Sequence, residues 1–159
     1  MQRISALTLM CFLASPAVGQ DVPMGCFVRD YGQDHLDRYP EQVVERISIR
    51  FGPHDWFIAA DVKVLLADQG HAGRDGLAGQ RMSEWAGNFN GPLNFGVECD
   101  GGGFEVVAKD AHGITIETSG FRLSTDGCGG EGVNSTLLEE GSATTRYRLP
   151  ATEDAACDW

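Results

Sequence analysis

Apolar and polar residues alternate along much of this chain, and that two-residue period constrains the fold more than any other feature of the sequence. The longest alternation runs from Ile58 to Leu66, with Asp61 and Lys63 on the opposite face. A second alternation covers residues 47–51. Because successive side chains of a strand point to opposite faces, both segments are typical of half-buried β-strands. The sequence therefore predicts a mainly β fold.

Turn residues divide the chain into about eight short strands. The clearest hairpin is predicted over 94–109, around an Asp-Gly-Gly-Gly turn, and Gly52–Asp55 is predicted to be a turn as well. Residues 68–80 are predicted to form a loop, and the best helix candidate, Asp34–Arg38, is kept short by the proline that follows it. We therefore expect a single antiparallel sandwich or closed barrel with little helix, and these two architectures remain alternatives.

The first 19 residues are predicted to be a secretory signal peptide. A short basic start is followed by an apolar stretch, and Ala17-Val18-Gly19 supplies the small residues of a cleavage site. Residues 20–159 then form one domain, which is expected to be periplasmic or secreted. No apolar run after the leader approaches the length of a membrane-spanning helix.

The cysteines predict two disulfides. Cys26, Cys99, Cys128 and Cys157 follow the leader, and thiols in an oxidising compartment pair. Pairing Cys26 with Cys157 and Cys99 with Cys128 would fasten the two ends of the domain and a glycine-rich loop. Pairing Cys26 with Cys99 and Cys128 with Cys157 is nearly as plausible. No Cys-x-x-Cys spacing indicates a redox function.

Charge limits the possible partners. The chain carries 23 acidic and 12 basic residues, for a net charge of −11. Such a surface repels nucleic acid, because binding there depends on cations that neutralise phosphates. A cationic protein would be attracted instead, and it is one of two candidate partners.

No motif predicts a catalytic centre, a cofactor or a metal site. Residues 70–78, Gly-His-Ala-Gly-Arg-Asp-Gly-Leu-Ala, resemble one copy of the calcium-binding nonapeptide of secreted β-roll repeats. That family builds its calcium sites between stacked repeats, and this chain supplies no second copy, so no metal ligands are predicted. Acidic glycine turns at 100–105 and 126–131 leave calcium binding open, although neither has EF-hand spacing.

One group of residues indicates ligand binding. Trp85 precedes Asn88 and Asn90, and tryptophan beside asparagine is a common arrangement in sites that stack a sugar ring. A glycan is therefore the second candidate partner. The sequence favours a non-enzymatic binding or interaction protein of the cell envelope. The alternative is a small hydrolase that acts on cell-wall or polysaccharide substrates through paired carboxylates.

Overall fold

The protein is an eight-stranded antiparallel barrel with an attached hairpin. A computed structural model describes residues 21–98, 100–126 and 132–159. Within these ranges the strands are β1 Gly25–Asp30, β2 Val44–His54, β3 Phe57–Leu66, β4 Arg81–Gly87, β5 Asn94–Gly96, β6 Gly103–Asp110, β7 Gly113–Thr118, β8 Arg122–Ser124, β9 Asn134–Thr136 and β10 Thr145–Thr152. The helices are α1 Gln33–Leu36 and α2 Gly70–Arg74, and a 3₁₀ turn covers Asp154–Cys157.

The barrel closes because β1 to β7 pair in sequence order and β10 pairs with both β7 and β1. The ring runs β1-β2-β3-β4-β5-β6-β7-β10 and back to β1, and all of its pairings are antiparallel. The β8–β9 hairpin lies outside this ring and pairs with β4 through Ser83 and Ser124. Of the two architectures that the sequence leaves open, the protein therefore adopts the closed barrel.

The interior of the barrel is filled by apolar side chains. Every second residue of β2, β3 and β7 is buried there, including Ile47, Ile49, Val62, Val64 and Ile116. These residues belong to one continuous apolar cluster that includes side chains from β4, β6 and β10. Ligands therefore have to bind at the outer surface or at the rims of the barrel.

Most of the predicted strands and turns are found, and one turn lies later than predicted. The 94–109 segment forms the β5–β6 hairpin, with Phe95 opposite Phe104. The predicted turn at Gly52–Asp55 is wrong, because β2 continues through Pro53 and pairs as far as His54. Pro53 has no backbone N–H to donate. It is tolerated because β1 pairs with β2 only as far as Phe51, so no strand on that side of Pro53 requires a hydrogen bond from it.

The predicted loop at 68–80 contains α2 and contributes to the core. Ala72 and Leu77 are buried, and the backbone N–H of Leu77 donates to the carbonyl of Ala72. Gly70 adopts a φ of +57° and packs against Val43, so a side chain there would be strained and crowded. The segment that resembles a calcium-binding nonapeptide thus packs as part of the β3–β4 connection.

The C-terminal strap, residues 153–159, crosses the outer face of β1 and β2. Cys157 is bonded to Cys26 at a Cα–Cα distance of 6.0 Å, which confirms one predicted disulfide. Cys26–Cys157 is the one disulfide within the described residues. Cys99 and Cys128 lie outside those residues, so the second disulfide stays a prediction. Outward-facing cations also hold the strap: Arg46 donates to the Ala156 carbonyl, Arg50 to that of Asp154, and Lys63 to that of Cys157.

None of the described helices is both long and apolar enough to cross a membrane.

Candidate functional site

Five aromatic side chains form a continuous surface beside the β2–β3 turn. This aromatic platform consists of His54, Trp56, Phe57, Trp85 and Phe89. Phe57 lies at its centre, with ring centroids 4.9–5.2 Å from those of the other four. Trp56 is 80% exposed and Phe89 is 39% exposed. A contiguous exposed aromatic surface is uncommon on a protein without a partner and indicates a binding site.

The turn and strand register place these rings together. His54 pairs with Phe57 across a two-residue loop, Asp55–Trp56, in which Asp55 has a φ of +46°. Trp85 reaches the same outer face from β4, where it lies opposite Asp61. The platform is therefore anchored on β2, β3 and β4, and Trp56 projects from the tip of the β2–β3 hairpin.

Gly87 lets Phe89 join the platform. A Cβ atom at position 87 would lie 2.3–2.8 Å from three atoms of the Phe89 ring, closer than carbon atoms can pack. The glycine thus gives the ring a flat place on the outer face of β4. The sequence signal for this contact is local: Gly-Asn-Phe follows a strand that contains a tryptophan. It can be interpreted only when the outward face of that strand is known.

A groove of about 490 Å³ lies against the platform. Trp56, Phe57 and Phe89 line it together with Asn88 and Asp55. Asn88 has a structural role, because its Oδ1 accepts a hydrogen bond from the Ile58 N–H and its own N–H donates to the Ile58 carbonyl. Its Nδ2 makes no hydrogen bond to the described residues. The groove therefore combines aromatic faces with an amide donor and a carboxylate.

Carboxylates dominate the electrostatics around the platform. Asp55 is exposed at the hairpin tip, 3.7 Å from Nδ1 of His54, and Asp61 lies beside Trp85. Lys63 is 3.6 Å from Asp61, but its ammonium group also donates a hydrogen bond to the carbonyl of Cys157 and so contacts the strap. The surface therefore disfavours anionic ligands and accepts neutral or cationic ones.

The predicted trio of Trp85, Asn88 and Asn90 is divided between two surfaces. Trp85 belongs to the platform and Asn88 to the groove beside it, whereas Asn90 lines a separate cavity of about 350 Å³. That second cavity also holds Glu105 and Glu117, which lie directly opposite each other on β6 and β7. Glu117 is in turn bonded to Arg146.

A third cavity, also of about 350 Å³, is lined by arginines rather than by a pair of glutamates. This Arg–Tyr cleft is lined by Arg29, Tyr31, His35, Tyr39, Arg146 and Arg148, with Gln42 and Glu139 completing it. Burial raises the pKa of Tyr31 to about 12. Burial, with Glu41 nearby, also raises the pKa of Glu139.

The metal-ligating residue types do not gather into a site. Across 21–98, 100–126 and 132–159, no group of three or more His, Cys, Asp or Glu side chains has a geometry that could hold a metal ion. The acidic turn predicted at 126–131 lies almost wholly outside the described residues.

Comparison with protein-family models, with curated proteins and with solved structures finds no match to this chain. The chemistry of its own surface is therefore the basis for any functional conclusion.

Sequence reasoning missed most of the platform. It selected Trp85 from the neighbouring asparagines, but two of the rings that contact Trp85, those of His54 and Phe57, lie about 30 residues earlier on either side of the β2–β3 turn. The useful signal was the Trp56–Phe57 pair, which follows directly after His54 and Asp55 and precedes the longest alternating strand.

Proposed function

We propose that this protein is a non-enzymatic, exported binding protein that holds a neutral glycan on the aromatic platform. The observation that most supports this proposal is the groove in which three aromatic rings lie beside an amide and a carboxylate, those of Asn88 and Asp55. The rings are those of Trp56, Phe57 and Phe89. The C–H faces of a sugar ring pack on aromatic rings, while its hydroxyls exchange hydrogen bonds with amides and carboxylates. A volume of about 490 Å³ and a mostly apolar lining with few polar groups are typical of small-molecule sites.

The preference for a neutral glycan follows from charge. Asp55 and Asp61 flank the platform, and the whole chain carries a net charge of −11. A uronic acid or sulfated sugar would be repelled from such a surface, whereas an uncharged chain would not. The packed barrel interior supports the same proposal, because it directs binding to an outer surface that a long polysaccharide can reach.

Export to the periplasm or the cell exterior is part of the proposal. The predicted leader and the Cys26–Cys157 disulfide support it, since disulfides persist mainly in oxidising compartments. Polysaccharides of the cell envelope are found in those same compartments.

Tryptophan fluorescence can test glycan binding with little ambiguity. The chain has three tryptophans, and Trp159 lies in the strap, where it contacts Ser48, Arg46 and Arg81 rather than the platform. A Trp159→Phe protein therefore reports only Trp56 and Trp85. We expect a saturable change with at least one neutral oligosaccharide and none with oligomers of uronic acids.

Variants locate the binding. Trp56→Ala is expected to weaken the titration at least tenfold, while Trp159→Phe keeps the wild-type affinity measured by calorimetry. A flat response to every neutral glycan would remove the proposal. Salt-sensitive binding of oligolysine, lost in Asp55→Asn, would replace the glycan by a cationic protein partner.

The alternative, a hydrolase with paired carboxylates, has one specific candidate pair. Glu105 and Glu117 face each other in the cavity that Asn90 and Asn94 also line. Release of reducing ends from a polysaccharide, lost in both Glu105→Gln and Glu117→Gln, would favour this alternative. The Arg146 ion pair gives Glu117 a structural partner, so we expect these variants to change stability rather than any activity.

A further inference from the structure

The β1–β10 ladder that closes the barrel is short. Their ladder is registered at Cys26–Thr152 and Phe27–Ala151, and no later pair of the two described strands is in register. Each strand continues with its other neighbour, β1 with β2 as far as Asp30 and β10 with β7 from Thr145 onward. The Arg–Tyr cleft lies between β1 and β10 beyond the end of their ladder, and it is lined by side chains.

Three of the chain's 12 basic residues line this one cleft. Arg146 and Arg148 lie on β10 and are paired with Glu117 and Asp110. Arg29 differs from both, because its guanidinium lies 5.3 Å from the centroid of Tyr31 and no carboxylate of the described residues forms an ion pair with it. In a chain with 23 acidic residues, a half-buried arginine without a carboxylate partner has the capacity to bind an anion.

The other wall of the cleft is aromatic. The rings of Tyr31, His35 and Tyr39 follow one another at centroid distances of 4.7 and 4.5 Å, with their planes tilted by 38° and 34°. Tyr39 is 55% exposed, so its ring is accessible to a ligand. Glu139 also lines the cleft, so a bound anion has to lie on the Arg29 side of the opening.

We infer that the Arg–Tyr cleft is a second ligand site, which binds a small organic anion with a planar ring. The anionic group, a carboxylate, phosphate or sulfonate, pairs with Arg29, and the ring packs on Tyr39. The volume of about 350 Å³ suits a ligand with one ring. None of the three tryptophans lines the cleft, so this site and the glycan platform can be tested separately.

Amide chemical shifts of the ¹⁵N-labelled protein can test this site. The probes are benzenesulfonate, phenyl phosphate, inorganic phosphate and the neutral benzyl alcohol. We expect saturable shifts with the two aromatic anions, centred on Arg29, His35 and Tyr39, and at least tenfold weaker binding of the other two probes. Arg29→Gln is expected to weaken benzenesulfonate binding at least tenfold. The matched variant Arg38→Gln removes an exposed arginine outside the cleft. Its affinity for benzenesulfonate should stay within twofold of that of the wild type.

Each alternative result overturns the inference. Absence of saturable shifts with both aromatic anions would show that the cleft is not an anion site. Equal losses in Arg29→Gln and Arg38→Gln would show attraction by overall charge alone. If Arg29→Gln does not fold, Tyr39→Leu replaces it, because that exposed ring can be removed without disturbing the core. We expect Tyr39→Leu to lose at least threefold in affinity for benzenesulfonate, and wild-type affinity would contradict the site.

Discussion

Removing the Cys26–Cys157 disulfide should destabilise the barrel more than any single surface change. The two cysteines are 131 residues apart in sequence, so the bond closes a loop that includes nearly the whole domain. In the chain-entropy model, a loop of that length reduces the entropy of the unfolded chain enough to stabilise the fold by about 5 kcal/mol. That figure is comparable with the total stability of about 5–15 kcal/mol of a typical domain.

The double variant Cys26→Ala, Cys157→Ala measures this contribution. We expect it to lose about 3–5 kcal/mol in urea unfolding at neutral pH, because the cross-link restricts mainly the unfolded chain. Tryptophan fluorescence and far-ultraviolet circular dichroism should give the same transition if unfolding is two-state.

A matched variant separates the cross-link from the contacts of the strap. Trp159 donates a hydrogen bond to Ser48 and lies near the guanidinium groups of Arg46 and Arg81. Trp159→Ala keeps the disulfide and should cost only about 1–2 kcal/mol. A loss below about 1 kcal/mol in the double cysteine variant would refute the reasoning, since the polar contacts would then hold the strap without the bond.

Three further variants test the local structure. Gly87→Ala should displace the Phe89 ring and weaken glycan binding several-fold while leaving the thermal midpoint nearly unchanged, and calorimetry with wild-type affinity would contradict this. Burial raises the pKa of Tyr31, so its neutral form stabilises the fold below pH 10, and up to about 3 kcal/mol is lost between pH 10 and 12. The free energy of unfolding of Tyr31→Phe should therefore fall less than that of the wild type between pH 10 and 12. Equal falls in the two proteins would contradict this role of Tyr31. Burial, with Glu41 nearby, raises the pKa of Glu139, so its ionisation at neutral pH opposes folding. Glu139→Gln should be more stable than wild type at pH 7, by no more than about 1 kcal/mol because the side chain is only half-buried. The difference should vanish below the ordinary glutamate pKa, and an equal gain at pH 3.5 would contradict the assignment.

The strands could be predicted because their signal is local. The alternation at 47–51 and 58–66 matches the buried faces of β2 and β3 directly. The turn after β2 was misplaced because Gly52 and Pro53 are strong turn residues, and tertiary pairing with Ile58 overrides them. Local preference alone does not reveal which edge of a strand is left unpaired.

Register explains why the sites were harder to predict than the strands. The platform needs Trp85 opposite Asp61 and His54 opposite Phe57, which depends on the pairing of three strands. The Arg–Tyr cleft needs Arg29 beside Arg148, which are more than 100 residues apart in sequence. A change of one residue in register would turn either group to the other face.

The most direct test of the account is titration of the Trp159→Phe protein with neutral oligosaccharides, followed by tryptophan fluorescence. Only Trp56 and Trp85 then report, and both belong to the platform. The account predicts a saturable change with a neutral glycan that Trp56→Ala reduces at least tenfold. A signal that stays flat across the neutral glycans, or one that persists in Trp56→Ala, would contradict the claim that this surface binds a sugar.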